Sequence, residues 1–224
     1  MSEPVLYFHW SDPQALRLRL LLGAKRIAYR QETRPLQDLE TAFDLGHAGL
    51  PVLQTSERCW SGALDELPGL EAELGGESLG AGFVDPREWQ AFCQWRQDLD
   101  ALLQRLIVPV QPAFAEIADD PEDLQYFRQE NERRLGQSLE ALANDRYGAY
   151  QQLAQRARLS TLAKLLAKQR FYLGRPSIID LVLCADFHLL RLLDGVTLPL
   201  DLQYYFQRVA EHCQVSLNSG MRPT

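Results

Sequence analysis

The sequence predicts two structural units, a small α/β unit and an all-helical unit that follows it. Over the first ~80 residues, short β-forming runs alternate with runs of helical spacing, which is typical of an α/β unit with a mixed sheet. The stretch 75–82 holds four glycines in eight residues, as expected of a linker. From Asp85 onward the apolar residues recur at three- and four-residue steps. We therefore predict a first unit at 1–76, a linker at 77–84 and an all-helical unit at 85–224.

The first unit is predicted to run strand, helix, strand, helix, strand, strand, helix. The first strand covers 5–8. The first helix runs from about Pro13 to Lys25, because Asp12 fits an N-cap and Pro13 the first helical position. Ser11 also fits a capping box with Gln14, one residue earlier. The same criteria predict a strand at 27–33, a helix at 36–45, a strand at 52–53, a possible strand at 58–60, and a helix at 62–74 that Pro68 must kink or split.

The turn Leu50–Pro51 opens the third predicted strand. Proline belongs at the first residue of a strand, and the bond before a proline is the one place where a cis peptide costs little. A cis bond here would leave the N–H and C=O of Leu50 free to pair with an extended peptide. The alternative is a trans proline that opens an ordinary strand.

The second unit is predicted to contain several helices with clear boundaries. Asp85 and Pro86 begin the first of them. A capping box of Ser177 and Asp180 opens an apolar helix, and its role is structural. The other predicted features are a helix that begins at Pro121, a break at 144–148, a helix at 159–169 and a last helix at 204–213.

Composition and charge exclude several classes of protein. With 30 acidic and 23 basic residues the net charge is −7, which argues against a general binder of nucleic acid or of acidic membranes. We expect no signal peptide at the N-terminus, and charged residues interrupt the longest apolar run, 178–193. The four cysteines form no C-x-x-C pattern, so we expect no metal site, no disulfide framework and a reduced cytoplasmic location.

Four features together resemble the cytosolic glutathione transferase superfamily, as a divergent, bacterial-type member. They are the first strand leading into an arginine-bearing helix, the Leu-Pro-Val-Leu turn at 50–53, the glycine linker, and the Phe-x-x-Gly-x-Pro-Ser-x-x-Asp motif at 171–180. The resemblance implies a thioredoxin-like N-terminal domain of order βαβαββα and an all-α C-terminal domain. It also implies glutathione as co-substrate, a small hydrophobic electrophile bound between the domains, and a homodimer.

The resemblance also implies which residues bind glutathione. Its cysteine backbone would pair at Leu50 and Pro51, and its γ-glutamyl carboxylate would bind Ser61 at the N-terminus of the following helix. Trp60 stands where the family usually has an acidic residue or glutamine. If the alignment slips by two residues, Gly62 and Ala63 replace the pair.

The thiolate of glutathione needs a hydroxyl donor near the first helix. Ser11 lies in the right loop, and Tyr7 matches the position of the tyrosine-using classes. Asp12 falls where other classes keep serine or cysteine, although an ionised carboxylate would repel a thiolate. The alternative roles are helix capping for Ser11 and Asp12, and a core strand residue for Tyr7.

Two functions follow from these residues. The first is conjugation or reduction of small hydrophobic electrophiles with glutathione. The alternative is a non-catalytic binding or regulatory protein with a degraded glutathione site. It is indicated by Trp60, by Leu45-Gly46-His47-Ala48 in place of an Asn-Pro-x-Gly segment, and by extra length near 144–158. The aromatic residues Trp89, Phe92 and Trp95 could touch a hydrophobic co-substrate or belong to the core.

Overall fold

The computed structural model describes residues 3–80 and 84–223. It confirms the predicted class, a four-stranded mixed sheet with helices followed by a helical half. Residues 81–83 of the predicted linker 77–84, the first two residues of the N-terminus and residue 224 lie outside the described part of the chain. The boundary between the two domains therefore stays a prediction. We refer to 3–80 as the α/β half and to 84–223 as the helical half.

The elements follow one another along the chain with short connections. The α/β half contains β1 (Val5–Phe8), α1 (Pro13–Ala24), β2 (Arg30–Thr33), α2 (Glu40–Asp44), β3 (Val52–Gln54), β4 (Cys59–Trp60) and α3 (Leu67–Leu74). The helical half contains α4 (Pro86–Asp98), α5 (Asp100–Ile107), α6 (Ala115–Ala118), α7 (Pro121–Leu135), α8 (Leu139–Asn144), α9 (Arg146–Arg156), α10 (Leu159–Lys168), α11 (Ile178–Phe187) and α12 (Leu200–His212). Two 3-10 segments, Val108–Ala113 and His188–Leu192, follow α5 and α11.

The sheet has the strand order β2-β1-β3-β4. β1 pairs in parallel with β2 and antiparallel with β3, and Tyr7 lies opposite Val52. Because side chains alternate along a strand, Leu6 and Phe8 share the face that is fully buried, whereas Tyr7 points to the other face. This arrangement sets the loop after β1 beside the turn before β3.

Several predicted boundaries in the α/β half were wrong by a few residues. The second strand begins at Arg30 rather than at 27, and Arg26, two residues after the end of α1, has a left-handed backbone with φ 57°. The second helix covers only Glu40–Asp44, and its apolar Phe43 is 79% exposed. The third helix begins at Leu67 rather than at 62, since Pro68 fits only in the first turn of a helix.

Boundaries also shift in the helical half. The predicted break at 144–148 is narrower, because α9 begins at Arg146, and the last helix begins at Leu200 rather than at 204. The stretch near 144–158, predicted as extra length, forms α9, which packs against α5. No helix in the described residues is both long and apolar enough to pass through a membrane.

The two halves share one hydrophobic core, in which α1 packs against α11. The predicted capping box is present: the Ser177 hydroxyl and N–H donate to Asp180, whose own N–H donates back to Ser177. Asp180 also accepts from the Tyr172 N–H at 2.7 Å and from the Tyr205 hydroxyl at 2.6 Å. Burial raises the pKa of Asp180 despite these donors. The capping box therefore anchors the start of the helix on which α1 rests.

Candidate functional site

The turn before β3 offers unpaired backbone groups next to α1. The Leu50–Pro51 bond is cis, which decides between the two conformations that the sequence left open. The register of β1 and β3, continued by two residues, sets Leu50 beside His9 in the loop before α1. Within the described residues the N–H and C=O of Leu50 make no hydrogen bond. An extended peptide can therefore pair with Leu50 at the N-terminal end of α1.

Asp12 caps α1 with its side chain. Its Oδ1 accepts from the Gln14 N–H at 2.7 Å. The predicted capping box of Ser11 with Gln14 was wrong, because Asp12 is the N-cap and takes this donor. Burial raises the pKa of the Asp12 carboxyl, while the Gln14 N–H and the Arg17 charge oppose the rise.

The helical half holds the loop before α1 in place. The two carboxylate oxygens of Glu116 accept from the N–H groups of Trp10 and Ser11, at 2.8 and 2.7 Å. The Gln111 side chain donates to the Ser11 carbonyl at 2.9 Å. Sequence reasoning missed both positioning residues, because they lie 105 and 100 residues from Ser11 along the chain.

The two hydroxyls predicted to act on a thiol lie in different surroundings. Ser11 is 5% exposed, and its hydroxyl makes no hydrogen bond within the described residues. The ring of Tyr7 lies under the Arg34 guanidinium, with 5.2 Å between its centroid and the guanidinium carbon. This ring is on the sheet face opposite to Leu6 and Phe8, away from the core that α1 packs on.

Ser61 donates to a carboxylate of its own chain. Its N–H and its hydroxyl both donate to Glu66 Oε2, at 2.6 and 2.8 Å. Its hydroxyl oxygen also accepts from the Ala63 N–H at 3.2 Å. The donors predicted for a γ-glutamyl carboxylate are therefore in contact with the carboxylate of Glu66.

Trp60 and Gly62 hold this segment against the rest of the α/β half. The Trp60 ring is in the core, 5% exposed, and its Nε1 donates to Glu73 at 3.2 Å. A Cβ at Gly62 would come within 2.5 Å of the Gln14 carbonyl oxygen. The Gly62 carbonyl accepts from Arg17 Nη1 at 2.8 Å. Gly62 thus permits a close approach to α1, and the Trp60 side chain faces the core.

A buried cluster of charges, which we call the Asp186 triad, joins α1, α4 and α11. Arg17 donates to both carboxylate oxygens of Asp186, at 2.7 and 2.5 Å, and Arg96 donates to the same carboxylate. Burial alone would raise the pKa of Asp186, but the two arginines outweigh it and the pKa lies below its ordinary value. Arg96 also pairs with Asp100 at 3.0 Å.

A cleft of about 860 Å³ lies between the two halves, and we call it the central cleft. Its walls from the α/β half include Asp12, Gln14, Arg17, Ala63, Leu64, Asp65 and Pro68; those from the helical half include Trp89, Cys93, Arg96, Gln97, Asp100 and Gln104. This size suits a small ligand. Among the predicted residues, Asp12 lines the cleft and Ser61–Gly62 directly precede its wall.

A second, more apolar cavity of about 660 Å³ lies within the helical half, between α4, α10 and α11. Phe92 and Trp95 line this cavity, whereas Trp89 lines the central cleft. The Phe92 ring stacks on that of Trp89, with centroids 5.6 Å apart, and is tilted against that of Trp95, with centroids 5.5 Å apart. In the described part of the chain, no group of three or more His, Cys, Asp or Glu side chains is placed to hold a metal ion.

The sheet, the turn at Leu50–Pro51 and the helical half define the class of fold: the chain shares the fold of solved glutathione transferases and of a glutaredoxin 2. Within that class, the family profile described as Glutaredoxin 2, C terminal domain, matches residues 91–221, more than half of the sequence. The chain therefore belongs to this family.

Individual relatives agree with this assignment over nearly their whole length. Glutaredoxin 2 of Escherichia coli K12 is 25% identical over 219 residues, 96% of this chain and 98% of the relative. Glutaredoxin 2 from Salmonella typhimurium, solved in complex with glutathione, has a TM-score of 0.78 and 23% identity, covering 99% of both chains. The glutathione transferase GSTFuA3 of Phanerochaete chrysosporium has a TM-score of 0.72 and 21% identity, covering 95% of this chain and 98% of its own.

Proposed function

We propose that this protein binds glutathione along the central cleft and uses it to conjugate or reduce a small hydrophobic electrophile. The observation that carries the proposal is the unpaired backbone of Leu50 beside the N-terminus of α1. Leu50 can pair with the backbone of the cysteine in glutathione, while the positive end of α1 stabilises the thiolate. The Salmonella relative, solved in complex with glutathione, supports this ligand.

In this proposal Ser11 is the hydroxyl that donates to the thiolate. Its own hydrogen-bonding capacity is unused within the described residues, and Glu116 and Gln111 hold its backbone. A donor that is held in advance stabilises a developing anion without further rearrangement. Tyr7, the other predicted donor, would have to leave Arg34 and the opposite sheet face to reach the same thiol.

The reactive thiol in this proposal belongs to glutathione rather than to the protein. The relatives are named glutaredoxins, but the loop at 9–14 of this chain, where thiol chemistry would be expected, has no cysteine. Burial raises the pKa of Cys184 well above its ordinary value and that of Cys213 to about 12. Burial also raises the pKa of Cys93 in the cleft. Thiols of high pKa are poor nucleophiles near neutral pH.

A second function, non-catalytic binding, is favoured by one specific observation. Glu66 already accepts from the Ser61 N–H and hydroxyl that a γ-glutamyl carboxylate would need. If Glu66 keeps these donors, glutathione loses one of its anchors and the cleft serves a different ligand.

Calorimetric titration with glutathione at neutral pH separates the two functions. We expect a dissociation constant between the micromolar and low-millimolar ranges, followed by activity in a screen of electrophiles and peroxides. Absence of binding at ~10 mM, an affinity of less than about 3 kcal/mol, would overturn the catalytic proposal. It would leave non-catalytic binding as the function.

Paired variants test the role of each hydroxyl. We expect Ser11→Ala to lower turnover about 10- to 100-fold with little change in glutathione affinity, because the lost hydrogen bond forms only to the thiolate. Tyr7→Phe is the matched control and should keep turnover near that of the wild type. Equal activity of both variants would contradict the assignment of Ser11.

We also propose that the protein is a homodimer in the cytoplasm. Sedimentation equilibrium that shows only a 25.6 kDa species would contradict the dimer.

A further inference from the structure

Arg19 on α1 is a buried cation without an acidic partner. The residue is 6% exposed, and its Nε has no hydrogen-bond partner. Within the described residues no carboxylate forms an ion pair with it, and its polar neighbour is the Tyr29 hydroxyl. Arginine stays protonated in proteins. Burial therefore leaves a positive charge whose counter-ion has to come from elsewhere.

Aromatic rings compensate this charge only in part. The guanidinium carbon lies 4.3 Å from the Trp10 ring centroid and 5.9 Å from that of Phe8. Cation–π attraction is weaker than the cost of removing an ion from water. The guanidinium carbon also lies close enough to the Trp10 ring for the ring to restrict its orientation.

Arg19 lines a groove of about 520 Å³, which we call the Arg19 groove. It lies between α1, the segment 26–31 and the segment 213–219. Arg26, Tyr29, Gln31, Ser216 and Ser219 also line it. Of the described residues, two arginines and no acidic residue line this groove, although the chain as a whole has a net charge of −7. The groove therefore attracts anions on a protein that otherwise repels them.

We propose that the Arg19 groove binds a small molecule through a carboxylate, phosphate or sulfate group. A guanidinium presents paired N–H donors that match such groups, and the Tyr29 hydroxyl and the Arg26 guanidinium add further donors. None of the residues lining this groove lines the central cleft. The groove also contains neither Ser11 nor Leu50, so we propose it as a second site, distinct from the proposed glutathione site.

Calorimetric titration with sodium phosphate, sulfate and acetate tests the site and distinguishes the three anions. Ionic strength is held constant with sodium chloride, because surface charges are screened by salt. We expect saturable binding of at least one anion at low-millimolar concentration or below. Arg19→Met should weaken this binding at least tenfold. Arg133→Met, which removes an exposed arginine of α7, is the matched control and should bind as the wild type does.

Arg26→Gln provides a second test if Arg19→Met does not fold. Arg26 is exposed, so its replacement should leave the fold unchanged and weaken anion binding about two- to fivefold. The proposal is overturned if the wild type shows no saturable binding of any of the three anions. It is also overturned if the folded variants bind like the wild type. Loss of anion binding when the protein is saturated with glutathione would overturn it as well, because the anion would then occupy the central cleft.

Discussion

Arg17 and Arg19 lie two residues apart on α1 and are almost equally buried, at 5% and 6% exposure, yet their surroundings differ. Arg17 faces the central cleft and donates to both oxygens of Asp186. Arg19 faces the opposite groove and contacts two aromatic rings and a tyrosine hydroxyl. The first arginine has its counter-charge within the fold, whereas the second has none among residues 3–80 and 84–223.

The comparison separates two uses of a buried arginine. A guanidinium whose charge is paired inside the protein holds elements together. A guanidinium that lacks a counter-charge and lines a groove is a candidate binding group. The same distinction applies to carboxylates of the central cleft, where Glu66 is already paired with Ser61.

Asp186→Asn should have the largest effect, because it leaves Arg17 and Arg96 buried without their common counter-charge. We expect a loss of about 3–5 kcal/mol in the free energy of unfolding, measured by urea denaturation. Asp100→Asn, which removes the exposed partner of Arg96, should cost less than about 1 kcal/mol. Similar losses in both variants would mean that the buried carboxylate of Asp186 contributes no more to stability than the exposed one of Asp100.

Lowering the pH should reduce the free energy of unfolding through His188, which follows Asp186 by two residues in the chain. Burial lowers the pKa of His188 to about 4, below its ordinary value of about 6.5. Between these two pKa values the unfolded chain binds more protons than the folded chain. The contribution of His188 to the free energy of unfolding is therefore complete above about pH 6.5 and is lost as the pH falls toward 4. The loss amounts to about 3 kcal/mol.

Urea denaturation between pH 4.5 and 7.5 measures this dependence. His188→Asn should make the free energy of unfolding depend less on pH, because an amide does not titrate. The amide can also replace the ring nitrogen that donates to the Ala185 carbonyl at 3.0 Å. His47→Asn, in the loop after α2, is the control. An unchanged pH dependence in His188→Asn would assign the effect to other groups.

Glu66→Gln tests whether internal pairing limits the central cleft, and it rests on the proposed function. Removing the negative charge next to Ser61 should let a γ-glutamyl carboxylate compete for the same donors. We expect glutathione affinity to rise about fivefold, or about 1 kcal/mol, in calorimetry. Glu57→Gln, in the exposed turn before β4, should bind glutathione as the wild type does. Unchanged or weaker binding by Glu66→Gln would mean that Glu66 does not compete.

Arg19→Met should have the smallest effect on stability. An apolar side chain of similar length removes an uncompensated buried charge, and the gain offsets the lost cation–π contacts. We expect the free energy of unfolding to change by less than about 1 kcal/mol, measured without added phosphate, sulfate or acetate. A loss as large as that of Asp186→Asn would show that Arg19 is structural and would remove the contrast with Arg17.

The sequence by itself determined the features that depend on neighbouring residues. The N-cap at Asp12 and the capping box of Ser177 and Asp180 follow from local backbone chemistry. The local sequence left cis and trans open at Leu50–Pro51, and the structure has the cis bond. The class of fold was also predictable, because the spacing of apolar residues indicates which elements form and which of their faces are buried. This spacing alternates between strands and helices in the first half and is helical in the second.

Only the tertiary structure decided which charges meet. Glu116 reaches Ser11 across 105 residues and Asp186 reaches Arg17 across 169, and no local rule links such positions. The same holds for Glu66 at Ser61 and for the unmatched charge of Arg19. Burying a charge without a counter-charge costs free energy, and which side chains become neighbours is set by how the two halves pack.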